Sequence, residues 1–388
     1  YRSKTVFQHC IFESNFAQAH GGHLDLRGGR PQLLDSQLTH GQAGTSFLVG
    51  FGGAIHGCKT KLLVARCSIY DNTATRSGGG VYYRAANVVM EQSNIDNNDA
   101  PDGGALFNVH THMHLRGVVS TGNRAMNNGG SMYFTGYGDI LIDGCTIEHN
   151  DAGQDGGAML VRKRFGRHEI FNSVIKRNLA GDQGAGICYF QTNGALVSDS
   201  EFIENIAMNG GGIFSATPNP IALERTKFDQ NQAQQDGGGM YVLKSTVDLL
   251  ECKFYANAAG NNGGGVKVEL GTAAGEALEF YDNTAVDRGG ALYLTDSSVM
   301  KLALSRLDGN AANEGGAMLN ELNSSLAITD CKIRSNQAWA AATSGGGLTT
   351  DMTSASRVRN SLFCNNTAVN INGPWMDLGG NTIAASCP

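Results

Sequence analysis

The residue types able to do chemistry in this chain are spread along it rather than gathered at one point. Three histidines, His110, His112 and His114, alternate in a single stretch. Two of them at i and i+2 could share a metal ion, but the three span roughly 13 Å of extended chain and cannot converge without a bend. They read as the polar outer face of a strand. Arg162, Lys163, Arg164, Arg167 and His168 form the one basic cluster, on a loop that either grips an anionic glycan or is simply solvated. A column of residues stands immediately before successive glycine turns: Asp102, Asn128, Asp155, Gln183, Asn209, Asp236, Asn262, Arg288 and Glu314. Carboxylates and amides are hard-oxygen ligands, so a calcium ladder is one reading. From 102 to 262, however, no two carboxylates are adjacent, and interleaved amides relieve like-charge repulsion while keeping ladder hydrogen bonds. The column is therefore expected to be structural, with no metal and no cofactor.

Constellations for catalysis are missing from the sequence. Polysaccharide hydrolysis needs paired carboxylates facing one groove, and lyase chemistry needs clustered acidic calcium ligands with a basic abstractor. There is no Asp-Asp pair, no Gly-His-Gly, and no nucleophile-elbow, P-loop or zinc-protease motif. The chain is expected not to be an enzyme. Its nine cysteines follow no zinc spacing. Cys10, Cys67, Cys145, Cys252 and Cys331 share one repeat position with Ser93, Ser173, Ser200 and Thr226, as small core-lining residues do. Disulfides are expected only between Cys364 and Cys387 and between Cys58 and Cys67. Sequons at Asn323 and Asn365 permit N-glycosylation in a secreted context.

The elements that position these residues come from a repeat. With 53 Gly against 6 Pro and only 16% charged residues, the composition suits neither a helical nor a disordered protein. Asn-x-Ala recurs at Asn72, Asn98, Asn123, Asn150, Asn178, Asn205, Asn231, Asn257, Asn283, Asn310, Asn336 and Asn366, in steps of 26, 25, 27, 28, 27, 26, 26, 26, 27, 26 and 30. Gly-Gly followed by a small and an aliphatic residue keeps the same beat. Between these marks run stretches with period-two alternation, such as Val247/Leu249 and Cys252/Phe254, and no helical period. Gly-Gly supplies positive φ, and Asn tolerates the left-handed region and bonds its stacked copy. Three strands and three turns in about 26 residues leave no room for a hairpin, so each strand must pair with its counterpart one coil away. The predicted fold is an all-β, right-handed, single-stranded parallel β-helix of about 14 coils, three short strands each. It is expected as one domain over 1–388, with an insertion in 23–50 and an irregular last coil, 366–388.

The pairing of Phe-x-x-Asn with Gly-Gly-Ala-Ile/Leu resembles the repeat of the chlamydial polymorphic outer membrane proteins. It stands here as FESN at 12–15, FIEN at 202–205, FDQN at 228–231, FYAN at 254–257 and FYDN at 280–283, and the likeness covers nearly the whole chain. That resemblance implies a surface-exposed β-helical passenger used in adhesion.

Beside the inward aliphatic column, the next position carries Tyr82, Phe107, Tyr133, Phe214, Tyr241 and Tyr293. Successive strand residues face opposite sides, so these rings are expected either to form an exposed contact stripe or, with the faces reversed, to fill the core. Residues 1–15 read as two strands of a coil, and Gly379-Gly380-Asn381-Thr382-Ile383 as the missing Gly-Gly strand, so head-to-tail stacking through open ends is expected. A net charge of −6 gives no basic excess for nucleic acid, and no apolar run is long enough to span a membrane. The leading expectation is a non-catalytic extracellular or cell-surface structural solenoid assembling into a filament. An adhesin passenger that binds glycan or a surface protein, and a polysaccharide lyase or hydrolase, are the alternatives.

Overall fold

The computed structural model describes residues 4–45, 49–340 and 344–387. Every regular element in them is a β-strand, and the chain forms two compact units, 1–195 and 196–388. In the first, a representative coil runs Val81–Arg84, Asn87–Glu91, Asn94–Asp96 and Asp99–Asp102. In the second, one runs Met240–Leu243, Thr246–Leu250, Lys253–Tyr255 and Ala258–Ala259. Each strand pairs in parallel with its counterpart one coil on, as Phe228 with Phe254 and Val81 with Leu106. Each unit is thus a parallel β-solenoid.

Four sheets form, not the expected three. The Asn-x-Ala mark is itself a two-residue strand, as in Thr73–Ala74 against Gln42–Ala43. We call the four the Gly-Gly, alternating, Cys/Phe and Asn-Ala sheets.

The corners also differ from expectation. The left-handed residue is not the ladder asparagine but the one before it: Asp71 (φ 55°), Asn97 (φ 53°), Gln230 (φ 55°) and even Ala256 (φ 50°). A non-glycine residue with positive φ is strained. The asparagine offsets that strain by donating back around the bend, as Asn72 Nδ2 does to Tyr70 O at 2.9 Å. Serine and cysteine do the same at the preceding corner: Ser93 Oγ donates to Glu91 O at 2.7 Å, and Cys67 Sγ to Ala65 O at 3.2 Å. The shared Cys/Ser/Thr column is therefore a corner-closing donor as well as a small core residue.

Asparagine ladders run within each unit. In the first, Nδ2 of Asn72, Asn98, Asn123 and Asn150 donates to Oδ1 of the next asparagine, ending at Asn178, at 2.9–3.0 Å. In the second the chain of bonds runs Asn205, Asn231, Asn257, Asn283, Asn310, Asn336 and Asn366 at the same distances. Each Oδ1 also accepts the preceding asparagine's backbone N–H, as Asn257 Oδ1 does from Asn231 at 3.0 Å. These amides tolerate burial because both of their polar atoms are bonded. Beside the second ladder, Phe202, Phe228, Phe254 and Phe280 stack face to face at 4.7–4.9 Å inside the core.

Most of 23–50 is an ordinary coil rather than an insertion. Leu24–Arg27, Gln32–Leu34, Gln37–Thr39 and Gln42–Ala43 pair in register with 55–74, so Gly21-Gly22 is a further repeat turn. At the other end, Thr382–Ala384 pairs with Leu362–Cys364 in the Cys/Phe sheet, and the last Gly-Gly-sheet strand is Val369–Asn372. The stretch 379–383 is therefore not the missing Gly-Gly strand. Cys364 is disulfide-bonded to Cys387. The expected Cys58–Cys67 bridge is absent, and both thiols are free. Cys58 ends a Gly-Gly-sheet strand, whereas Cys67 is buried a full alternating strand later, at another corner.

Candidate functional site

Most chemistry-capable residues are committed to the scaffold. The acid-amide column is one case. Asn128 Nδ2 donates to Asp102 Oδ1 at 3.1 Å, and Asn262 Nδ2 to Asp236 Oδ1 at 2.9 Å. Burial pushes the carboxyl groups up: Asp102 lies above its usual range, and Asp155, with Asp182 adding repulsion, reaches about 6. No group of three His, Cys, Asp or Glu among the described residues is arranged to hold a metal ion.

The aromatic column does lie on the side of its strand away from the core, since Val81 and Tyr83 flank Tyr82 and both are fully buried. It is not an exposed stripe. Tyr82, Phe214, Tyr241 and Tyr293 are buried and Phe107 and Tyr133 half-buried. Two features cover them. The Gly-Gly turn folds back on the strand it starts, so that a Cβ on Gly237 would sit 2.8 Å from Tyr241 Cβ. The rings also pack on one another, Tyr82 on Phe107 at 5.6 Å and Phe107 on Tyr133 at 4.7 Å. In the second unit buried Lys267 takes a place in the column, 4.6 Å from the Tyr241 ring, with Asp236 at 2.9 Å and Glu269 at 2.8 Å. Tyr241 Oη donates to Glu269 at 2.6 Å, and Tyr293 Oη to Glu321. With the Tyr241 and Tyr293 hydroxyls bonded and the rings covered, this column offers little to a ligand.

The three histidines separate. His110 sits at a corner with φ 51°, His112 is exposed at the start of the next strand, and His114 is half-buried along it. The basic cluster separates too. It lies largely on a strand, Met159–Phe165, and His168 is buried, 5.3 Å from Tyr189 and 6.4 Å from Phe134.

What remains is a ledge in the first unit. Met132–Tyr137 and Met159–Phe165 have six and seven residues, where Leu106–Val109 and Ile187–Phe190 on either side have four. Their extra residues overrun both neighbours, whose pairing stops at Thr135 and Arg162. Between Thr135/Arg162 and Gly136/Arg164 the register slips, leaving Lys163 as a bulge with φ 48°. A bulge of this kind bends its strand and re-aims the residues beyond it. Gly136 (φ 83°) is required here, because a Cβ would lie 2.4 Å from His110 Nδ1.

The result is a stack of three rings. His110 and Tyr137 lie 5.3 Å apart at 19°, and Tyr137 and Phe165 5.5 Å apart at 29°. Tyr137 is nevertheless 63% exposed and Phe165 47%. Tyr137 N–H donates to His110 Nδ1 at 3.1 Å, and Asp139, at the foot of the ledge, accepts the Arg167 N–H at 2.9 Å. Lys163 and Arg167 are exposed two residues to either side of Phe165, Arg167 within 3.8 Å of Glu169, and the Arg162 guanidinium lies over the Phe190 ring at 5.3 Å. Sequence reasoning does not single out Tyr137 and Phe165. The signal available for them is slight, the 28-residue step from Asn150 to Asn178 that holds Phe165, since the 27-residue step that holds Tyr137 recurs at Asn178–Asn205 and Asn283–Asn310.

Asn323 and Asn365 are both exposed on positive-φ corners, and Asn365 Nδ2 lies 3.4 Å from Ser335 Oγ.

The strand order and ladders define a parallel β-solenoid. A family model described as a right handed beta helix region matches residues 114–285 and 224–386, and the chain belongs to that family. Among solved structures it is similar to the Siphovirus 9NA tailspike receptor binding domain, with 7% identity, 99% of this chain and 73% of that chain covered, and a TM-score of 0.31. No curated protein matches the chain.

Proposed function

We propose that this protein is a non-catalytic β-solenoid of the extracellular space or cell surface that binds a partner through the ledge at 110–112, 135–139 and 162–167. The observation that carries the reading is the exposure of Tyr137 and Phe165 together with Lys163 and Arg167, where the aromatic column from Tyr82 to Tyr293 is covered. Exposed rings with adjacent cations are the usual make-up of a contact surface. An adhesive role also agrees with the resemblance to polymorphic outer membrane proteins. The test is retention of the labelled protein on intact cells, with Tyr137→Ser/Phe165→Ser compared against wild type. Loss of retention in a folded double variant is expected. Unchanged retention, or release of new reducing ends from acidic polysaccharides, would overturn the reading.

A further inference from the structure

We infer that the partner of the ledge is an anionic lipid surface, to which it docks peripherally. The inference rests on the binding role given to the ledge above and names what it binds.

Three observations favour a lipid surface over a sugar chain. The first is shape: the two ledge strands run past the last residues paired to their neighbours, so the rings sit on a short two-strand extension rather than along a continuous track of coils that a polymer could follow. The second is the presentation of the rings. Sugar stacking suits a flat ring presented alone, whereas Tyr137 stands between His110 and Phe165, 5.3 and 5.5 Å away and within 29° of parallel. Tyr137, 63% exposed, joins an apolar ring to a hydroxyl, the amphipathic profile that settles at the headgroup level of a bilayer. Phe165, 47% exposed, supplies the apolar partner beside it. The third is charge. The protein carries a net −6, yet Lys163 and Arg167 both stand exposed on the ledge. A local cationic patch on an acidic protein is complementary to an anionic surface, and each cation near such a surface is worth about fivefold in partitioning. No helix among the described residues is long and apolar enough to cross a membrane, so the docking inferred is peripheral.

The test is co-sedimentation of the whole chain with phosphatidylcholine vesicles, with and without phosphatidylglycerol. Wild type is expected to pellet only with the anionic vesicles and to be released by high salt. Lys163→Glu/Arg167→Glu and Tyr137→Ser/Phe165→Ser should each weaken partitioning about tenfold or more. Circular dichroism checks the fold, and if one double variant unfolds the other carries the test. The inference is overturned if wild type stays in solution with anionic vesicles, or if a folded variant pellets as wild type does. Columns of heparin and polygalacturonate form a second arm: retention there without vesicle binding assigns the ledge to an anionic glycan and overturns the lipid surface. The two levels fail separately. Ledge variants that lose cell retention while no vesicle is bound leave the binding role intact, whereas unchanged cell retention removes both.

Discussion

At the scale of single residues, the ladder asparagine does three jobs at once. Asn257 donates to Phe228 O at 3.0 Å and to Asn283 Oδ1 at 2.9 Å, and accepts from Asn231. Removing it strands buried groups on both neighbours, so Asn257→Ala should lower stability by about 3 kcal/mol in urea unfolding. Asp155 makes the opposite case. The folded chain holds its proton up to about pH 6, because burial disfavours the charge. Its contribution is therefore full below the ordinary carboxylate range and is lost as pH climbs toward 6. Asp155→Asn should raise stability at neutral pH by about 1 kcal/mol, a figure reduced for partial solvent screening, and leave it unchanged in acid. Thermal melts across that range read both limbs. Cysteine reactivity follows burial in the same way: Cys145 and Cys331 are pushed up to about 11 and Cys252 to about 12. A thiol reagent should label only half-buried Cys10 and Cys58 in the native protein, and buried Cys67, Cys145, Cys188, Cys252 and Cys331 only after unfolding.

At the scale of elements, the repeat is legible because its turns are chemically marked. Gly-Gly and Asn-x-Ala fix the period, and period-two alternation fixes which residues face in. That rule places Phe228, Phe254 and Phe280 inward, and they stack in the core. Phe254→Ala should cost about 3–5 kcal/mol, since a rigid parallel stack cannot collapse into the gap, and a chemical unfolding curve measures it. Other features carry no such mark. A two-residue strand at Thr73–Ala74 cannot show alternation. The left-handed residue before the ladder asparagines varies freely, from Asp71 and Asn97 to Gly122, His149, Arg177 and Glu204, because the donor that closes the corner is the asparagine after it. Burial of Tyr241 depends on the Gly-Gly turn folding back over it, a tertiary contact that alternation cannot reveal. The ledge leaves only the lengthened step from Asn150 to Asn178, and the ring stack it builds from His110, Tyr137 and Phe165 joins three separate coils.

At the scale of the whole molecule, regular coils form the scaffold, and the proposed contact falls where the ledge interrupts them. The central claim is that binding occurs at the ledge, and hydrogen–deuterium exchange on the bound protein tests it directly. Measured on intact cells or on phosphatidylglycerol vesicles, exchange should slow in peptides covering 132–139 and 159–167 and stay unchanged over the aromatic column of the second unit around Tyr241 and Tyr293. Protection centred on that column, with 132–139 and 159–167 exchanging as in the free protein, would contradict it.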